Sequence, residues 1–301
     1  MRSAIQIRVA RRKNSGTQRP ADEASIAQSL RDYTRAVGGG LIVGLPLLYT
    51  MEIWFHGFIL PWWKLLLLLG IAFVIVLGYN SISGFRRERS LRDLVVDSIA
   101  TLGLAILVAF VALVLLGRIE LGTSLRDAAG KVALEAIAIA FGASVAATQL
   151  SGDGGVGEEH PGPFMRLLVG AGGALLFALN VAPTEEPLML GIEAGPWLLL
   201  LVVGASLLLT FALVFYADFG GRPVARRASL LDRPIPETIT SYAISLGVAL
   251  LLLWSFGRTN GAGAGAILGM TVMLAVVASV GAAIGRLLVS GGGEGGGAQS
   301  A

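Results

Sequence analysis

Apolar stretches of about 20 residues, the length a helix needs to cross a lipid bilayer, recur along the whole chain with only short polar breaks between them. That pattern leaves no room for a separate water-soluble domain. With 54% hydrophobic and 14% charged residues, the chain carries more apolar surface than a soluble core of this size can bury. Lipid gives the backbone no hydrogen-bond partners, and the alternating pattern of a membrane barrel is absent, so the stretches must be helices. The expected fold is all-α: a polytopic membrane bundle of about eight transmembrane helices. In the first half they run from Gly38 to Phe55, Trp63 to Tyr79, Leu94 to Leu116 and Val132 to Leu150. In the second they run from Met165 to Ala182, Trp197 to Tyr216, Ile239 to Phe256 and Ala266 to Leu288.

Charge sets the expected orientation, because cytoplasmic loops of membrane proteins carry an excess of Lys and Arg. With the N-terminus inside, 18 basic residues fall on the cytoplasmic side, among them Arg86, Arg87, Arg89, Arg92, Arg166, Arg222, Arg226, Arg227, Arg233 and Arg286. Only 5 fall outside: Lys64, Arg118, Arg126, Lys131 and Arg258. An N-in, C-in topology follows, and Trp54, Trp62, Trp63 and Trp197 then sit at the outer interface, where indole rings are favoured. The basic start of the chain is followed by no apolar run until about Gly38, unlike a cleavable signal peptide. It reads as disorder to about Ala21, then a short amphipathic surface helix, ADEASIAQSLRDYTRA. The Gly-rich end reads as a flexible cytoplasmic tail.

The two halves read as tandem copies of one four-helix unit. DSIATLGLAILVAFVALVLLGR, from Asp97 to Arg118, aligns without gaps on ETITSYAISLGVALLLLWSFGR, from Glu237 to Arg258. ASVAA at Ala143 matches ASVGA at Ala278, Pro61-Trp62 matches Pro196-Trp197, and Glu185 takes the place of Glu52. The expected organisation is a basic segment at 1–35, repeats at 36–151 and 152–289, and the tail at 290–301. Transport sites in repeat-built membrane proteins commonly lie at the repeat interface.

Carboxylates in or beside a span are costly and usually functional. Glu52 stands near the outer end of the first span with His56 one turn later on the same face, a pair suited to protons or cations or simply to the interface. Glu185 and Glu186, bracketed by Pro183 and Pro187, suggest a break in the fifth span that frees carbonyls beside two acids. Asn180 can add a neutral oxygen there. Asp97 and Glu237 open the third and seventh spans, as inner-gate acids or as acids favoured by the helix dipole. Glu135, four residues after Lys131, reads as its structural partner. The spacings of Gly40 and Gly44, Gly265 and Gly269, and Gly281 and Gly285 permit close helix contact and leave room for self-association.

The functional expectation is a cation channel or secondary transporter using these acids, in one variant coupled to protons. Its rivals are a non-transporting scaffold or sensor that binds lipid or a partner protein, and, third, a membrane enzyme built on Glu52 and His56. No P-loop, dinucleotide fingerprint, zinc-protease motif or nucleophile elbow is present. There is no cysteine, and His56 and His160 are the only histidines, so no enzyme, cofactor or multi-histidine metal site is expected. Basic residues flank the spans rather than forming a face, so nucleic acid is not an expected partner; the bilayer is, with inorganic cations or protons.

At LPLLYTMEIW around Glu52, GFRRERSLRD around Arg87 and ALNVAPTEEP around Glu185, the chain resembles a family of bacterial integral membrane proteins catalogued as domain of unknown function 2391. The resemblance covers almost everything beyond about Gln28. It implies a multi-span protein of the bacterial inner membrane with no defined activity, and it carries over no catalytic residue.

Overall fold

The computed structural model describes residues 19–82, 90–150, 163–219 and 234–290. The chain divides into two units, Met1–Thr34 and Arg35–Ala301. The described residues form ten helices and no strand: α1 (Arg19–Leu48), α2 (Met51–Ile59), α3 (Trp62–Ile82), α4 (Leu91–Leu115), α5 (Leu125–Leu150), α6 (Pro163–Leu179), α7 (Glu186–Glu193), α8 (Pro196–Phe219), α9 (Pro234–Ser255) and α10 (Ala264–Ser290).

Six of these, α3, α4, α5, α8, α9 and α10, are long and apolar enough to cross a membrane. They coincide with six of the expected spans. The other two differ. The first is broken by a bend of 84° between α1 and α2. Pro46 removes one backbone donor from the last turns of α1, and Thr50 then enters an extended conformation that ends the helix. The fifth, α6, is only 17 residues long. It stops at Leu179 in a run of turns, and α7 restarts with Pro187 in its first turn. The residues of the short surface helix expected before Gly38 are helical, within α1. The segment before Arg19, the loop arginines Arg86, Arg87, Arg89, Arg222, Arg226, Arg227 and Arg233, His160 and the tail after Ser290 lie outside the described residues.

Side-chain size decides the packing. The least buried spans, α4 and α8, turn Leu107, Leu115, Leu200, Leu201 and Leu208 outward, a surface that only hydrocarbon can solvate. The most buried span is α5. Where backbones meet, glycine is required. A Cβ on Gly57 or Gly130 would overlap the backbone across the α2–α5 contact, and one on Gly191 or Gly269 would do so across α7–α10. Gly39 and Gly142 bring α1 onto α5 as Gly173 and Gly281 bring α6 onto α10. These contacts repeat with the same spacing: 18 residues separate Gly39 from Gly57 and Gly173 from Gly191, and 12 separate Gly130 from Gly142 and Gly269 from Gly281. Gly40, Gly44 and Gly285 are also in tight contacts, whereas a Cβ on Gly265 meets open space.

The ends of α4 and α9 are built alike. Gly117 (φ 65°) and Gly257 (φ 77°) take the left-handed conformation that terminates a helix. In each case the next residue, Arg118 or Arg258, donates its N–H back to Leu113 or Leu253 at 2.8 Å.

Candidate functional site

Polar groups from both halves of the chain converge where α9 ends. The last carbonyls of a helix lack intrahelical donors. Here Lys64 of α3 supplies them, its Nζ donating to Trp254 O at 2.7 Å and Ser255 O at 3.1 Å while lying over the Trp254 ring. His56 of α2 is buried and packs edge-on against Phe256 with ring centroids 4.9 Å apart. Arg258, just beyond, donates through Nη1 to Glu185 Oε1 at 2.6 Å and through Nη2 to the Pro183 carbonyl. The turn between α6 and α7 is thus tied to the end of α9, and α2 and α3 are tied to the same point.

The sequence-derived candidates fall into distinct settings. Glu52 and His56 share a face but form no ion pair: His56 Nδ1 lies 2.7 Å from the Glu52 backbone oxygen. A carbonyl can only accept, so Nδ1 carries the proton. Glu185 is committed to Arg258. Glu186 is exposed at the first turn of α7. Asn180 donates from Nδ2 to Leu176 O at 2.8 Å and leaves its buried Oδ1 without a hydrogen bond.

Asp97 and Glu237 are far from this cluster. Asp97 is half-buried on α4 beside Ser98, whose Oγ accepts from Asn80 at 3.1 Å. Glu237 pairs with Arg286 at 2.6 Å, joining α9 to α10 where both side chains are largely buried. Among the described residues no three acidic or imidazole side chains come together in a way that could hold a metal ion.

One expectation is overturned. Lys131 does not pair with Glu135; it forms its ion pair with Asp127 at 2.9 Å and also donates to Arg118 O at 3.1 Å. Glu135 is completely buried in α5, and neither carboxylate oxygen has a hydrogen-bond partner. Spacing alone hid this residue, because Lys131 has an acid one turn away on either side. The available signal was helix polarity, since an acid N-terminal to a lysine pairs better than the reverse order.

A membrane bundle of this architecture agrees with the family comparison, in which the integral membrane protein family named DUF2391, a domain of unknown function, matches residues 32–289. The chain belongs to this family. No curated protein and no solved structure matches it. The family and the apolar helices together make the chain a multi-pass integral membrane protein.

Proposed function

We propose that this DUF2391 member is a proton-coupled secondary transporter of the bacterial inner membrane, built from two tandem four-span units with both ends in the cytoplasm. The observation that carries the reading is the pair of interrupted helices at corresponding places, α1–α2 and α6–α7, each braced by a glycine contact of matching spacing. Interrupted spans in corresponding positions of two halves are the best structural pointer to a transport site. In this scheme α1 with α2 is the first span and α6 with α7 the fifth, giving eight. The glycine register pairs Glu52 with Glu186, one residue on from the pairing suggested by sequence alone.

The solute site in this reading is the cluster at the end of α9, where His56, Lys64, Glu185 and Arg258 meet between the halves. Its one acid, Glu185, is already met by Arg258, and Glu237 at the opposite end is met by Arg286. That favours the proton over a coordinated metal as the coupling ion, because a proton needs no cage of ligands.

The test is solute flux into proteoliposomes under imposed proton gradients, across Na⁺, K⁺, Mg²⁺ and Ca²⁺, comparing wild type with a Glu52→Gln, Glu185→Gln, Glu186→Gln triple variant. Proton-driven flux that falls in the variant supports the reading. Folded wild type with no flux for any ion sinks it and leaves a membrane scaffold.

A further inference from the structure

The buried acid of α5 is not needed for packing, and the chain itself supplies the comparison. In the glycine register Glu135 lies five residues after Gly130, and Leu274 lies five after Gly269. Leu274 is 1% exposed and belongs to the apolar core. One half fills the position with leucine; the other buries a carboxyl with no donor and no counter-charge.

The surroundings of Glu135 are defined by its neighbours on the same helical stripe. Lys131 lies against Gly57 of α2, and Ile139 lies against Gly44 of α1. Glu135, midway between them, is therefore level with the 84° elbow at Tyr49 and Thr50. Leu47, Leu48 and Ile53, from either side of that elbow, pack into the same apolar clusters as Leu134, Ala136 and Ile139. The titratable groups on the elements packed around α5 are Arg35 on α1, Glu52 and His56 on α2, and Lys64 and Tyr79 on α3. Arg92, Asp93 and Asp97 lie on α4, Arg166 on α6 and Arg286 on α10, with Arg126, Asp127 and Lys131 on α5 itself. None of them is hydrogen-bonded to Glu135. An ionised carboxylate without a partner is far costlier to bury than the neutral acid, so the packed state holds a proton.

We propose that Glu135 is a coupling-proton site, exchanging its proton with water through movement of the elbow between α1 and α2. The inference rests on the transporter reading above for the word coupling, and on packing alone for the proton. The elbow supplies the means. Thr50 makes no side-chain cap to α2, because its hydroxyl is turned to Pro46 O at 2.6 Å. Its carbonyl accepts from Ile53 N–H at 3.2 Å, but its side chain caps neither Met51 nor Glu52 in the first turn of α2. When the elbow shifts, the carboxylic acid releases its proton to water, and the carboxylate gains the hydrated helix N-terminus as its surroundings.

Infrared spectroscopy of wild type, Glu135→Gln and Glu135→Leu in lipid nanodiscs tests the proton directly. The expected result is a protonated-carboxyl C=O band at neutral pH in wild type that is absent from both variants and fades reversibly as the medium is made alkaline. No band assignable to Glu135, or a band that ignores external pH across the range in which the protein stays folded, overturns the proposal. Glu135→Leu copies the residue of the second half, so a folded variant is available even if Glu135→Gln misfolds. The same three proteins in the flux assay separate the two readings. Wild-type flux that keeps its proton dependence in Glu135→Leu refutes Glu135 as a coupling site and leaves the transporter intact. Absence of wild-type flux refutes coupling along with the transporter, while the infrared result still decides whether Glu135 is an exchangeable proton site.

Discussion

Lys131 reaches back one turn to Asp127 at 2.9 Å and leaves Glu135, one turn ahead of it, without a partner. The ammonium thus stays near the helix end, where water can reach it, and the acid alone goes into the apolar interior. Stability should follow the same division. Asp127→Asn is expected to lower the melting temperature in detergent, since it removes the ion pair of Lys131 and leaves it only the Arg118 carbonyl. Glu135→Leu should melt at or above the wild-type temperature, because it replaces an unsatisfied polar group by the residue that fits the equivalent place. A large fall for Glu135→Leu would mean the carboxyl has a structural partner after all.

The glycine contacts give the sharpest steric prediction. Gly130→Leu and Gly57→Val insert side chains where backbone already stands, and overpacking of that kind costs about 1–3 kcal/mol or more. Both should reduce the yield of monodisperse protein and lower its melting point. Gly265→Ala, with open space around it, should leave both unchanged.

The two acid–arginine pairs should respond differently to removal of the acid. Glu185 is 62% exposed in its pair with Arg258, whereas Glu237 and Arg286 are 18% and 9% exposed in theirs. Glu185→Gln should therefore cost no more than about 1 kcal/mol, the scale of an exposed pair. Glu237→Gln leaves a buried guanidinium uncompensated, a loss on the order of 3–5 kcal/mol. Unfolding of the two variants in mixed micelles, read side by side, checks the contrast.

Lys64→Met removes the donor that closes the end of α9 and the cation over Trp254. Trp254 O keeps the Gly257 N–H at 3.1 Å, but Ser255 O loses the Lys64 donor, which should cost about 1–3 kcal/mol. The environment of Trp254 should change with it, measurable as a shift in tryptophan emission against a Trp254→Phe control.

Most of the bundle was legible from hydropathy because α3, α4, α5, α8, α9 and α10 are simple apolar runs, and their length is dictated by the bilayer. The breaks were less so. The sequence around Pro183 and Pro187 announced the interruption of the fifth span. The elbow at Thr50 carries only Pro46 as a signal, inside a run that remains apolar on both sides. For the candidate site, spacing placed Glu52 and His56 on one face but could not tell that the imidazole meets a backbone oxygen instead of the carboxylate. The partners of Glu185 and Glu237 were out of reach, because Arg258 and Arg286 lie 73 and 49 residues away in the chain.

The shortness of α6 has a further effect. Its 17 residues rise only about 26 Å, against a hydrocarbon core of about 30 Å, while α4 with 25 residues exceeds it. Among the described side chains of α6 only Phe164 is exposed, so the shortfall is hidden from lipid inside the bundle. The bilayer therefore need not thin around it, because the hydrophobic thickness at the rim is matched by the longer lipid-facing helices α4 and α8.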